Sequence, residues 1–520
     1  MKNYLKIDKA VEIEEKKERI VYRILEIFPG ALSWLTLFLL IFFSWQKPVW
    51  TAAFVIGFDT YWFLKSIYLS FHLRSAFKKM KKNLKIDWLK LLKKDFPEKW
   101  QSFYHLIIFP TYKESYEVLR GSFQSLVESD FPKEKMIVVL ACEKRALPQA
   151  WEISEKIKKE FSKKFFKFLV TFHPDDIEGE IAGKGANETF AIRVAKNEII
   201  DKLKIPYEKI IVSAFDADTQ VEKGYFSCLL YHFLKEKDPY HASYQPVPLL
   251  TNNLWEAPGI SKIMALSSSF WHLMNQEREE KHLTFSSHSI PFKSLVEIDF
   301  WQTNVVSEDS RIFWNLFLAN NGNWKVVSLY YPVYMDANVA ENFFKTFINL
   351  YKQQRRWAYG SADIAYFLYG FLKNKKIPFS KKINYGFFTI EGFWSWATNS
   401  LIIFFGGWLP LTLGGSRFKI MVQSFFLPSL TSKILTLAMI GLITNIWLTF
   451  QVLPPLREKK SKKLKNYFLM ILQWLLLPFN LVILGSLPAL EAQSRLMLGK
   501  YMNFWPTPKI RKNKKYAYSK

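Results

Sequence analysis

Cysteine is nearly absent. The chain has two in 520 residues, Cys142 and Cys228, far apart and with no His or Cys neighbour at metal-ligand spacing. That excludes a disulfide framework and a zinc site built on local cysteine pairs. Acidic residues are also scarce: 46 against 72 Lys and Arg, a formal charge of +26. Such a balance suits nucleic acid, an anionic membrane surface or anionic small substrates. No helix-turn-helix, zinc or RNA-recognition signature accompanies the charge, so no nucleic-acid partner is expected. The basic residues are spread through loops between apolar runs, which favours the membrane reading. Residues 1–27 are polar and Lys-rich, and read as lacking a cleavable signal. What is abundant is apolar and aromatic: 49% hydrophobic, 17% aromatic, with 19 Trp and 47 Phe, enough for one catalytic domain plus membrane helices.

Phe28 to Trp45 is almost purely apolar. A second run follows from Val49 to about Leu73, interrupted by Asp59, Lys65 and His72, so only its first two-thirds is expected to span. Basic residues flank the outer ends of this hairpin and its turn carries only Lys47, which puts the N-terminus and everything past residue 74 in the cytoplasm. Residues 74–99 interleave lysines with Leu, Ile and Trp, as an amphipathic interfacial linker does. After residue 360 apolar runs return at Phe387–Leu413, Ile434–Leu453 and Tyr467–Leu487, with a shorter one at Ile420–Leu430. A cytoplasmic domain and a cytoplasmic tail need an even number of crossings between them. The expectation is therefore that Ile420–Leu430 crosses as a fourth helix, leaving the Arg457–Lys465 cluster external; the alternative is that one long run re-enters.

Between these segments, residues 100–340 read as an α/β domain of short β-rich runs alternating with helical patterns. Leu106–Phe109 is a strand running into Pro110-Thr111-Tyr112-Lys113-Glu114. Met136–Ala141 is a second strand, ending at Cys142-Glu143, and a third lies near Phe168–Phe172. Gly183-Lys184-Gly185-Ala186-Asn187 is a glycine-flanked helix entrance whose backbone can approach a phosphate and whose lysine can neutralise one. Ile210–Val212 ends in Asp216-Ala217-Asp218. In extended chain, side chains two apart share a side, so these carboxylates converge at a strand's C-terminal edge, where open α/β sheets bind ligands. Two close carboxylates suit Mg²⁺ or Mn²⁺ shared with substrate phosphates; turn-forming aspartates are the plain alternative. Tyr244–Asn253 reads as a loop. Ser307-Glu308-Asp309 opens a helix over Ser310–Leu318, with Ser307 placed as N-cap. Acids in a first turn answer the helix dipole, yet Asp309 or Glu308 beside a metal-bound diphosphate could also serve as general base. On the amphipathic helix 341–359, Gln353, Arg356 and Trp357 fall on one face, suited to diphosphate oxygens and a sugar ring.

Taken in order, the strand into Pro-Thr-Tyr-Lys-Glu, then Asp-Ala-Asp, Ser-Glu-Asp and Gln-Gln-Arg-Arg-Trp between membrane segments resembles the membrane-embedded family 2 glycosyltransferases, whose processive members include cellulose and hyaluronan synthases. The resemblance covers residues 100–360. It implies a GT-A nucleotide-sugar domain inserted between transmembrane helices, with a nucleotide-sugar donor, Mg²⁺ or Mn²⁺ as cofactor, and a glycan or lipid-linked acceptor. It implies that Asp216 and Asp218 bind the uridine diphosphate and its metal. Asp309 is then the base, with Glu308 beside it, while Glu114, Lys184, Gln353 and Arg356 hold the nucleotide and Trp357 borders the acceptor. Members usually carry an aspartate after the second strand to bind the base of the nucleotide, and here Glu143 stands in. The tail Phe504-Trp505-Pro506-Thr507-Pro508-Lys509 is similar to the Phe-x-Val-Thr-x-Lys gating loop of cellulose synthases, with Pro506 for the valine, which adds Thr507 and Lys509 to the nucleotide site.

The expected layout is a basic N-terminus (1–27), a transmembrane hairpin (28–73), the linker (74–99), the catalytic domain (100–340), interfacial helices (341–386), transmembrane helices (387–490) and a basic tail (491–520), in the plasma membrane with the catalytic domain cytoplasmic. The expected activity is inverting extension of a polysaccharide coupled to its translocation. Transfer of one sugar to a lipid-linked acceptor keeps the same chemistry. A membrane transporter or scaffold with a basic domain is the reading from another class.

Overall fold

Alternation along two apolar strands decides how the sheet is covered. Leu106, Ile108, Ile137, Val139 and Ala141 point into one buried cluster; Ile107, Phe109, Val138, Leu140 and Cys142 point into another on the opposite face. The computed structural model describes residues 3–438, 440–455 and 460–511. Its strands are β1 (Tyr104–Thr111), β2 (Met136–Glu143), β3 (Lys167–His173), β4 (Ile210–Ala214), β5 (Gln220–Val221), β6 (Ala242–Leu249), β7 (Ser289–Pro291) and β8 (Lys325–Tyr334). They form one eight-stranded sheet in the order β3-β2-β1-β4-β7-β6-β8-β5. β3, β2, β1 and β4 are parallel, whereas β7 runs antiparallel to β4 and β6. Helices cover both faces, the arrangement of a GT-A-like α/β domain. A parallel set buried on both sides explains why β1, β2 and β4 read as continuous apolar runs.

The stretch expected as a loop from Tyr244 is instead β6. Pro246 lacks a ladder donor, and the strand accommodates it with an irregularity between Gln245 and Val247 in its pairing with β8.

Among the described residues, three helices are long and apolar enough to cross a membrane: Lys16–Gln46, Val422–Val452 and Lys463–Met497. The short run Ile420–Leu430 therefore makes no helix of its own. It leads into the following run, so the expected separate fourth crossing is not built. Phe387–Leu413 is divided among the helix Phe379–Leu401, a π-turn at Ile402–Gly406 and Trp408–Leu413. Residues 456–459 of the basic cluster and 512–520 of the tail lie outside the described residues. In the linker, the helix Trp88–Asp95 turns Trp88 and Leu92 into the domain's core, where Trp88 meets Tyr231.

Candidate active site

β4 delivers Asp216 and Asp218 to its C-terminal edge in a tight turn, where the Asp216 N–H donates to Thr219 Oγ1. Asp218 is 1% exposed. Its Oδ2 accepts the Asp336 N–H at 2.8 Å and its Oδ1 takes the Lys509 ammonium at 2.5 Å; that ammonium also lies 3.9 Å from Asp216. Burial pushes the Asp218 carboxyl up to about 6, with Asp336 and Asp216 adding to it and Lys509 opposing it. Burial acts on Asp216 the same way, but Lys184 and Lys509 overcome it and hold that carboxyl well below the usual range.

Lys184 begins the helix Lys184–Ala195, after Gly183. Its ammonium lies 2.9 Å from Asp216 and 2.7 Å from Asp309, with Glu308 at 3.7 Å and Glu188 at 3.8 Å. One cation thus joins the strand-end aspartate to the carboxylate of a different helix start. The acidic company holds Lys184 protonated in spite of its burial. Ser307 occupies the cap position of the helix Glu308–Ala319 but makes no side-chain cap bond, so Asp309 is held by other means. The Thr284 hydroxyl donates to its backbone carbonyl at 2.6 Å, and His288 Nδ1 lies 3.6 Å from its carboxylate. His288 donates from Nδ1 to the Phe285 carbonyl and accepts the Trp301 indole N–H at Nε2, the neutral tautomer that its burial favours. Glu308 is pushed up to about 8 by burial and by Asp309.

The remaining candidates face the same cavity, of about 1490 Å³: Glu114, Glu143, Gln353, Arg356, Trp357, Thr507 and Lys509 line it together with the carboxylates. Glu114 folds back to accept from Thr111 and from the Tyr112 N–H, and Glu143 pairs with Arg145. Arg356 lies over the Phe504 ring at 4.8 Å. Two buried polar atoms, Arg356 Nε and Thr507 Oγ1, have no hydrogen-bond partner among the described residues. The tail is clamped by Arg511, which grips Asp336 through both nitrogen arms. Phe504 packs so close to Gly183 that a Cβ there would lie 2.9 Å from its Cβ.

Four residues of this site are silent in the sequence reading. His288, Asp336 and Arg511 carry no motif. Glu188 had a signal, since it stands one helical turn after Lys184. Both its oxygens are buried without a hydrogen bond, and burial raises its carboxyl well above the usual range. Among the described residues no three His, Cys, Asp or Glu converge to hold a metal ion by themselves.

The sequence profile described as glycosyl transferase family group 2 matches residues 211–483, more than half of the chain, and the protein belongs to that family. No curated protein matches the sequence. Among solved structures, it is similar to the Pyrobaculum calidifontis mannosyltransferase PcManGT in complex with GDP-Man and Mn²⁺, at 12% identity and a TM-score of 0.39, covering 75% of this chain and 99% of that one. It is also similar to residues 1–349 of S. aureus TarS in complex with UDP, at 15% identity and a TM-score of 0.33, covering 67% and 91%.

Proposed function

We propose that the protein is an inverting glycosyltransferase that takes a sugar from a nucleotide-sugar donor, a UDP-sugar by resemblance, and adds it to a growing glycan at the cytoplasmic face of the plasma membrane. The observation that carries this reading is the Lys184 bridge between Asp216 and Asp309, beside two buried donors without partners. Arg356 Nε and Thr507 Oγ1 are suited to phosphate oxygens, and the bridge keeps the diphosphate subsite next to a carboxylate base.

Asp216 and Asp218 fit a hard divalent ion, because the Lys509 ammonium already stands between them as a cation. With only two protein carboxylates, the ion would take further oxygens from the donor. When bound, Mg²⁺ or Mn²⁺ would neutralise charge on the leaving diphosphate. Asp309 takes the proton of the acceptor hydroxyl, whose oxygen bonds to the anomeric carbon as the bond from that carbon to the diphosphate oxygen breaks. Configuration inverts in that one displacement. Lys184, Arg356 and Lys509 then answer the charge on the departing nucleotide. Gln353 assists at the diphosphate, Trp357 stacks on the acceptor sugar, and Glu143 and Glu114 border the nucleoside. Aromatic rings and small polar side chains continue along the cavity, among them Trp271, Trp396, Trp408, Ser267, Asn399 and Asn445. Rings for sugar faces and amides for hydroxyls suit a glycan passing between the membrane helices, and so favour extension of a polymer.

Asp309→Asn tests the assignment. Donor binding should be retained, while turnover falls by roughly 10²- to 10⁴-fold, as for a lost general base. Were Asp309 only a helix-start acid, the change would cost about 1 kcal/mol or less of stability and leave activity standing. Turnover and melting temperature of the same variant separate these outcomes.

A further inference from the structure

Away from the reacting centre, the cavity wall carries a second charged group. Arg278 and Lys281 come from the catalytic domain, Lys65 from the helix Pro48–Asn83 and Glu391 from the helix Phe379–Leu401, and all four line the cavity. Lys65 is satisfied by Glu391 at 2.6 Å, and Arg278 by Glu280 at 3.1 Å. Lys281 has no carboxylate partner among the described residues; its ammonium rests 6.0 Å from the Phe388 ring centroid. Three cations against two carboxylates leave one positive charge over, and it belongs to the one whose ammonium is unpaired. Asp59 lies on the Lys65 helix six residues away, about 9 Å along the axis, and the charges that act most on Lys281 are Arg278, Glu391, Lys65 and Glu280.

We propose that Lys281, flanked by Arg278 and Lys65, forms a subsite for an anionic group on the acceptor glycan, a carboxylate or a phosphate, so that the polymer handled here is acidic. This rests on the glycan-extending reading above and names its substrate class. A cation facing an apolar, aromatic wall is poorly solvated, and an anion entering there gains a charge-assisted bond without displacing a protein partner. The glycan source is favoured over a lipid phosphate because the same wall carries the rings and amides that suit sugars. Burial lowers Lys281 to about 8, with Arg278 and Lys65 pushing the same way and Glu391 and Glu280 opposing. Only the ammonium form attracts an anion, so binding should weaken as pH rises through about 8.

The test uses the full-length protein in phosphatidylcholine nanodiscs without donor. Binding of a glucuronate-containing tetrasaccharide is compared with that of a neutral glucose tetrasaccharide at pH 7 and pH 9. The expected result is a preference of about tenfold for the uronate at pH 7. It should be lost at pH 9 and in Lys281→Gln, and kept at both pH values in Lys281→Arg, which also controls for folding. Equal binding of the two sugars, or a preference that survives Lys281→Gln, overturns the proposal. Lys281-dependent binding of a polyprenyl phosphate in the nanodisc, with no uronate preference, overturns the glycan assignment in favour of lipid. Because no donor is present, these outcomes are independent of whether Asp309 acts as base.

Discussion

Lys509 is the residue on which the resting site turns. Its ammonium is 2.5 Å from Asp218 and 3.9 Å from Asp216, in the place where a divalent ion would neutralise the same pair. Two cations cannot share so small a locus, so the lysine and an ion bound there would compete until a diphosphate gave the lysine another anion to bind. Lys509→Ala should therefore tighten Mn²⁺ binding to the donor-free protein. In the same variant, donor binding with Mn²⁺ present should weaken by roughly 10- to 150-fold, the loss of one charged hydrogen bond. Calorimetry with and without donor reads both; a variant that binds the bare ion no better removes the competition. Asp218→Ala should abolish ion-dependent donor binding altogether, and an unchanged affinity would remove the ion from that carboxylate. That Asp216, Asp218, Asp309, Arg356 and Trp357 line one cavity is legible in the sequence because each lies in a short local pattern. The part of His288 is not, since it comes only from burial beside Asp309, a contact with no local pattern, whereas Glu188 is marked only by its place one helical turn after Lys184.

Among the elements, the parallel strands were the most legible and β6 the least. A buried parallel strand announces itself as an unbroken apolar run, whereas Pro246 and Pro248 within β6 carry the local signal of a loop. The pairing of β6 with β7 and β8 outweighs that signal, and no local pattern can report it. The meeting of tail and helix start is likewise a matter of elements. Gly183 has extended φ, so alanine suits its backbone; the obstacle is Phe504, whose Cβ cannot rotate out of the way. Gly183→Ala should therefore push the 504–509 segment off the donor subsite while leaving the helix Lys184–Ala195 folded. The expected outcome is a KM for the donor raised severalfold, with melting temperature changed by no more than a degree or two. A large drop in melting temperature with unchanged KM would mean that the contact serves packing alone.

At the scale of the whole molecule, the question is how the tail reaches the active site. Lys509 touches Asp218, so in the proposed membrane-embedded enzyme tail and catalytic domain would share a side of the membrane. Gly414 lies against Pro48, which brings the turn after the helix Trp408–Leu413 beside the turn of the N-terminal hairpin. On that reading the chain would pass outward through the divided stretch 379–413 and return through 422–452, since Trp255 of the catalytic domain donates its indole N–H to Pro454. The stretch 463–497 then begins on the catalytic side, with Tyr467 against Trp255, and ends there, with Arg23 and Arg355 holding Met497 and Glu491. Between those ends it carries Ser486, hydrogen-bonded to Ser400. Its helix is interrupted at Trp474–Leu476, Pro478 and the π-turn Asn480–Ser486, the kind of break a re-entrant segment needs. We expect that this run of spanning length enters and leaves on one side, so that two crossings separate domain and tail. With Cys142 and Cys228 replaced, single cysteines at Lys47 and Ser416 should react with an impermeant thiol reagent in intact cells, while cysteines at Leu464 and Lys500 should react only after permeabilisation. Labelling of Leu464 from outside would make 463–497 a true crossing, and labelling of Lys500 from outside would detach the tail from the donor site.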